Sequence, residues 1–112
     1  MPHAELKYSG DLPIDPAAIL AQIEQVILTH DSAAGACKGR AFPAAVFHHS
    51  HLLVSVALLA KPHRDAAFSA ALIADLETAV KGLIPVPCAF SLALSYSDAF
   101  YVTNAHMGQP AR

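Results

Sequence analysis

Ile19-Leu20-Ala21-Gln22-Ile23-Glu24-Gln25-Val26-Ile27 and Leu72-Ile73-Ala74-Asp75-Leu76-Glu77-Thr78-Ala79-Val80 align without a gap, with alanine and glutamate identical in place. In each stretch the apolar residues recur at three- and four-residue intervals, the spacing that gathers them on one side of a helix. Amphipathic helices can match one another by chance. The pair therefore argues for an internal duplication only if similar strands flank both members.

The flanking segments do read as strands. His3 to Ser9 alternates Ala4, Leu6 and Tyr8 against His3, Glu5 and Lys7, the period of a strand. Asp15-Pro16 supplies an N-cap and a proline at the first helical position, so the first helix is predicted from Pro16 to about His30. Gly39 to Phe47 is predicted as the second strand, confined to an edge or a bulge by Pro43. His48 to His51 reads as a turn. Leu52 to Ala60, with Val54 and Val56, is an apolar run too short for a typical helix, and predicts a strand covered on both faces. Pro62 and Asp65 announce the second helix. Phe68, Leu72, Ile73, Leu76, Val80 and Leu83 carry its apolar face up to Gly82 and the Pro85-Val86-Pro87 stop. Cys88 to Tyr96 alternates as a fourth strand, and Phe100 to Val102 is read as a short final one.

The order β-α-β followed by β-α-β predicts an α+β fold in a single domain over 1-112. Its two repeats run over about 3-47 and 52-96, with a C-terminal tail. Right-handed crossovers place both helices on one face of a four-stranded sheet. With Leu, Val and Phe on both sides of the strands, the opposite face is expected to be covered by other subunits of a closed homo-oligomer.

A chain of 112 residues suits one domain, and its hydrophobic fraction of 54% lies a little above the roughly 45–50% of ordinary soluble domains. Seven Lys and Arg against nine Asp and Glu give a formal charge of -2. With no basic run to neutralise a phosphate backbone, nucleic acid is excluded as a partner. Glu5 and Lys7 fall where a signal peptide would need an apolar core. The least charged stretch, Ala41 to Ala60, is broken by Pro43 and three histidines. A cytoplasmic chain with no membrane partner is the expectation. Cys37 and Cys88 form no CxxC pair and are expected to be buried free thiols.

The opening Met1-Pro2-His3 and the Tyr8-Ser9 that closes the first strand belong to this duplicated pattern. So do the Lys38-Gly39-Arg40 segment and the tail from Phe100 to His106, with Asn104 two residues before His106. Together they resemble the 5-carboxymethyl-2-hydroxymuconate isomerases of the tautomerase superfamily over nearly the whole chain. That family shows Arg-x-Arg where this chain has Lys38-Gly39-Arg40, and a similar Phe…Asn-x-His tail. The resemblance implies a homotrimer and an isomerase that needs no cofactor and no metal. Pro2, once Met1 is removed, would be the general base. Arg40 would be the second catalytic group. Lys38, Arg64, Phe100 and Asn104 would be contacts to a small carboxylate substrate.

The chemistry suits those residue types. A terminal proline is a secondary amine able to move a proton between carbons next to a carbonyl. An α-amino group starts at about 7.7–8.0 and falls in apolar or cationic surroundings, so it is a base near neutrality. Guanidinium offers a carboxylate a two-pronged fork, whereas ammonium is a point charge. Lys38 thus departs from the family and leaves the substrate open, and together with the shortened segment between Arg40 and Leu52 it permits a diverged member that keeps the trimer without activity. Arg64 reads either as a ligand contact or as an exposed loop cation, since a cation beside a helix N-terminus does not help the helix. Phe100 and Asn104 are equally satisfied as packing or turn residues. His48, His49 and His51 lack a carboxylate or cysteine companion and read as a solvated turn rather than a metal site. Two other readings share the pattern: a ferredoxin-like binding module, in which Pro2 is incidental, and a diverged family member without activity.

Overall fold

The computed structural model describes residues 1–111. The first aspartate signal works as the sequence predicts: the Asp15 carboxylate accepts from the Ala18 amide at 3.1 Å and opens α1 (Pro16–His30). Asp65 accepts from the Phe68 amide at 2.9 Å and opens α2 (Ala66–Lys81). Around them run β1 (His3–Ser9), β2 (Lys38–Ala44), β3 (His51–Leu59) and β4 (Ala89–Ser97).

The sheet order is β2-β1-β3-β4. β1 is parallel to β2 and β3 is parallel to β4, while β1 and β3 meet antiparallel at the centre. Each β-α-β unit thus has adjacent strands. A ferredoxin-like split unit would place another strand between them, so that runner-up topology does not hold. β2 lies at an edge, where the missing N–H of Pro43 is tolerated.

The core lies between the sheet and the helices. Ala4, Leu6 and Tyr8 of β1 and Leu52, Val54, Val56 and Leu58 of β3 point into it. They meet Ile19, Ile23 and Ile27 of α1 and Leu72, Leu76 and Val80 of α2, all fully buried. The three buried positions of α1 align with the three of α2 in the gapless match of Ile19–Ile27 with Leu72–Val80. Burying one such side chain contributes roughly 1.5–3 kcal/mol, so these two stripes are what fix the helices to the sheet.

Within the single chain β3 is covered by the helices on one face: its even-numbered residues are buried, while its odd-numbered ones face away from the helices and stay partly or largely accessible. Cross-strand register shows why the free face tolerates this. One row holds Lys38, His3, Ala57 and Ser95, the next Arg40, Glu5, Ser55 and Ala93, and the third Phe42, Lys7, Leu53 and Ser91. This surface is mixed and mostly polar, and the exposed large apolar groups sit mainly elsewhere. Val46 and Phe47 lie between β2 and β3, and Phe100, Val102 and Met107 lie in the tail. One expectation changes: Phe100–Val102 forms no strand. The Phe100 amide turns back to the Asp98 carboxylate at 2.9 Å instead of joining a ladder, and Phe100 and Val102 stand 96% and 84% exposed.

Candidate active site

β1 and β2 begin, and β3 and β4 finish, at the same end of the sheet, because the outer pairs are parallel and the central pair antiparallel. Pro2 lies at that end, immediately before β1, with its ring fully buried. Its carbonyl accepts from the Lys38 amide at 2.9 Å, extending the β1–β2 ladder by one bond. Met1, 37% exposed, is attached to the proline nitrogen. Loss of Met1 would therefore free the nitrogen on the side that already meets solvent while the ring stays anchored.

Lys38 and Arg40 project together because Gly39 between them turns towards α1. A Cβ on Gly39 would stand 2.9 Å from Leu20 Cδ2 and 3.3 Å from Leu20 Cβ. The glycine thus allows α1 to lie close to β2 and leaves both cations on the free face. Gly39→Val is expected to lower stability by about 1–3 kcal/mol through overpacking. Gly39→Ala should cost less, since the end of the Leu20 side chain can shift. Urea unfolding of the two variants checks the order, which would be reversed if the space were open.

Arg40 is not alone on its row. Its Nη2 lies 3.4 Å from Glu5 Oε1, and its Nη1 donates to His3 Nδ1 at 3.3 Å. His3 is the cross-strand partner of Lys38, and Glu5 that of Arg40. Three polar residues therefore gather about Arg40, of which the sequence reading nominated only Lys38.

On the helix side, the Cys37 amide donates to Glu24 Oε2 at 2.8 Å. Both cysteines are half-buried rather than buried. Burial, reinforced by the Glu24 charge, pushes the Cys37 thiol up to about 11. At pH 8 only about a thousandth of Cys37 is then thiolate, and thiol titration of the native protein should find it slow to react. Rapid labelling of Cys37 before unfolding would contradict this.

Arg64 is neither an exposed loop cation nor an open substrate clamp. Its side chain is 3% exposed, with Nε and Nη2 donating to Asp31 Oδ2 at 3.1 and 2.8 Å and Nη1 to the Leu59 carbonyl at 2.7 Å. His63 Nε2 lies 2.8 Å from the same carboxylate oxygen. These contacts, His63 first and Arg64 next, hold the Asp31 carboxyl down at about 2. Asp31 is also the C-cap residue of α1, so this cluster ties the end of α1 to the loop before α2.

Phe100 and Asn104 are both exposed within one chain. The tail carrying them leaves β4 at the same end of the sheet as Pro2. Among the histidines, His49 adopts φ 62° and the His51 ring engages the His49 carbonyl at 2.9 Å, so this segment closes the connection into β3. Among the described residues, no three His, Cys, Asp or Glu side chains come together as a metal site. No helix among them is long and apolar enough to cross a membrane.

No family model matches the chain, and no curated protein matches it in sequence. Solved structures do match in shape. A fused 4-OT forming a symmetric trimer is 18% identical, covers 92% of this chain and 91% of its own, and superposes with a TM-score of 0.74. A 5-carboxymethyl-2-hydroxymuconate delta-isomerase is 19% identical over 96% of this chain and 89% of its own, with a TM-score of 0.64. A 5-carboxymethyl-2-hydroxymuconate isomerase from Deinococcus radiodurans R1 is 18% identical over 94% and 90%, with a TM-score of 0.57. With two parallel β-α-β units joined through an antiparallel centre, the chain has the fold of the solved fused 4-OT and 5-carboxymethyl-2-hydroxymuconate delta-isomerase structures.

Proposed function

We propose that the chain is a cofactor-independent isomerase that moves a proton within a small unsaturated keto or enol carboxylic acid. Pro2 is the base once Met1 has been removed, and Arg40 and Lys38 receive the carboxylate. The observation that carries this reading is the joining of Pro2 to Lys38 through the 2.9 Å backbone bond, with Arg40 following on the same face of β2. The amine takes a proton from carbon next to the carbonyl, and charge gathers on the enolate oxygen. The two cations stabilise that charge, and the proline ammonium returns the proton to a different carbon. The similar fold of solved 5-carboxymethyl-2-hydroxymuconate isomerases supports the reaction class.

The working assembly under this proposal is a homotrimer. The single chain is a flat layer, 47 × 42 × 22 Å, with a radius of gyration of 15.5 Å against the about 13 Å of a compact chain this long. Its exposed Phe47, Phe100, Val102 and Met107 are apolar surface that a neighbouring subunit would cover. Two fused 4-OT proteins of similar fold are symmetric trimers. Under the same proposal the tail, which leaves β4 at the Pro2 end of the sheet, brings Phe100 and Asn104 to a site shared between subunits. Arg64 remains with Asp31. Light scattering in dilute buffer is expected to give three times the chain mass, and a monodisperse monomer would remove the shared site.

The deciding experiment follows the ultraviolet absorbance of an enol acid with processed protein and with protein that retains Met1. Turnover confined to the processed form is the expected result. Equal rates in the two forms would end the proline mechanism.

A further inference from the structure

The two cations beside Pro2 do not amount to two open sites for anions. Arg40 Nη2 is faced by Glu5 Oε1 at 3.4 Å, and Nη1 donates to His3 Nδ1 at 3.3 Å. Arginine has no acceptor, so His3 Nδ1 is the accepting atom of this contact. Lys38 and Arg40 contribute two positive charges and Glu5 one negative, which leaves one net positive charge from lysine, arginine and carboxylate side chains on the two rows nearest Pro2. Lys7, the other cation on this face, pairs across the strands with Phe42 and Leu53 and stands about 13 Å along the strand from His3. It belongs to a different neighbourhood.

Resting on the reading that this end of the sheet binds an enol acid, we infer that the site selects a monocarboxylate and that Glu5 is the residue that turns dicarboxylates away. One carboxylate is matched by the single net charge. A second would enter beside the Glu5 carboxylate with no cation left to offset either, and an unmatched like charge discriminates against the wrong ligand as surely as a lost contact. Glu5 acts here through its charge rather than as a strut. With side chains 44% and 32% exposed, the Arg40–Glu5 pair adds little to holding β1 against β2.

Sorbate and trans,trans-muconate test this, because they share a trans,trans six-carbon dienoic chain and differ in having one carboxylate or two. Binding to processed protein is measured by NMR titration at pH 8 and low salt for wild type, Glu5→Gln and Glu5→Asp. Wild type should prefer sorbate. Glu5→Gln should tighten muconate by about tenfold and change sorbate by less than about threefold. Glu5→Asp, which restores the charge, should restore the preference. A structural role for Glu5 would instead weaken both acids together. Wild type binding muconate more tightly than sorbate, a ratio unmoved by Glu5→Gln, or binding of neither acid would each overturn the inference. Turnover of an enol acid by processed protein would still stand in those cases, so the two readings fail separately.

Discussion

Asp31→Ala is expected to cost about 3–5 kcal/mol of folding stability. The reason is what it leaves behind. Arg64 is 3% exposed, keeps its charge at any working pH, and directs two of its nitrogens to Asp31 Oδ2. Without the carboxylate, a buried guanidinium retains only the Leu59 carbonyl as partner. Against a total stability of about 5–15 kcal/mol, that loss would unfold much of the population on mild warming. Urea unfolding of wild type, Asp31→Ala, Asp31→Asn and the double variant Asp31→Ala/Arg64→Met separates the parts. The double variant should recover most of the loss, because an apolar pair of similar volume no longer buries an unmatched charge. A difference below about 1 kcal/mol for Asp31→Ala would show that the cluster is not holding the halves together.

The same carboxylate sets an acid limit. Its pKa is depressed from 3.8 to about 2, so the folded state binds fewer protons than the unfolded chain between these values. The stability it contributes is fully present above about pH 4 and is lost as pH falls through about 2. Asp31→Asn, which cannot ionise, should flatten this part of the stability profile.

The sequence made the helices legible because period and caps agree: Asp15 and Asp65 sit where the apolar stripes of α1 and α2 begin. It left the two faces of β3 undistinguished for a definite reason. Leu53, Ala57 and Leu59 are as apolar as the buried Leu52, Val56 and Leu58, so alternation within Leu52–Ala60 cannot tell which face is covered. Only register shows that Leu53 stands between Lys7 and Ser91, and that Ala57 stands between His3 and Ser95. Arg64 was ambiguous for a similar reason. Its partner is 33 residues away at the far end of the other helix, a distance no motif spans. Glu5 lay in plain view on the polar side of β1, but its position opposite Arg40 depends on the pairing of two strands separated by a whole helix.

Removal of Met1 is expected to be all-or-none for proton transfer, because an acylated proline nitrogen has no basic lone pair. Pro2→Ala, processed to a free alanine, should retain reduced turnover: a primary amine remains, with greater freedom of motion and altered basicity. Arg40→Ala should lower kcat/KM by about 30- to 1000-fold, corresponding to about 2–4 kcal/mol if the guanidinium stabilises the enolate as an oxyanion donor does. Part of that loss belongs to Glu5, which in Arg40→Ala stays behind as an unpaired carboxylate near the incoming anion. The Arg40→Ala/Glu5→Gln double variant resolves the two contributions. If it recovers substrate affinity but not kcat, Arg40 acts on the transition state and Glu5 only on charge balance. If it recovers both, Arg40 serves solely to neutralise Glu5, and Lys38 is then the cation that meets the substrate.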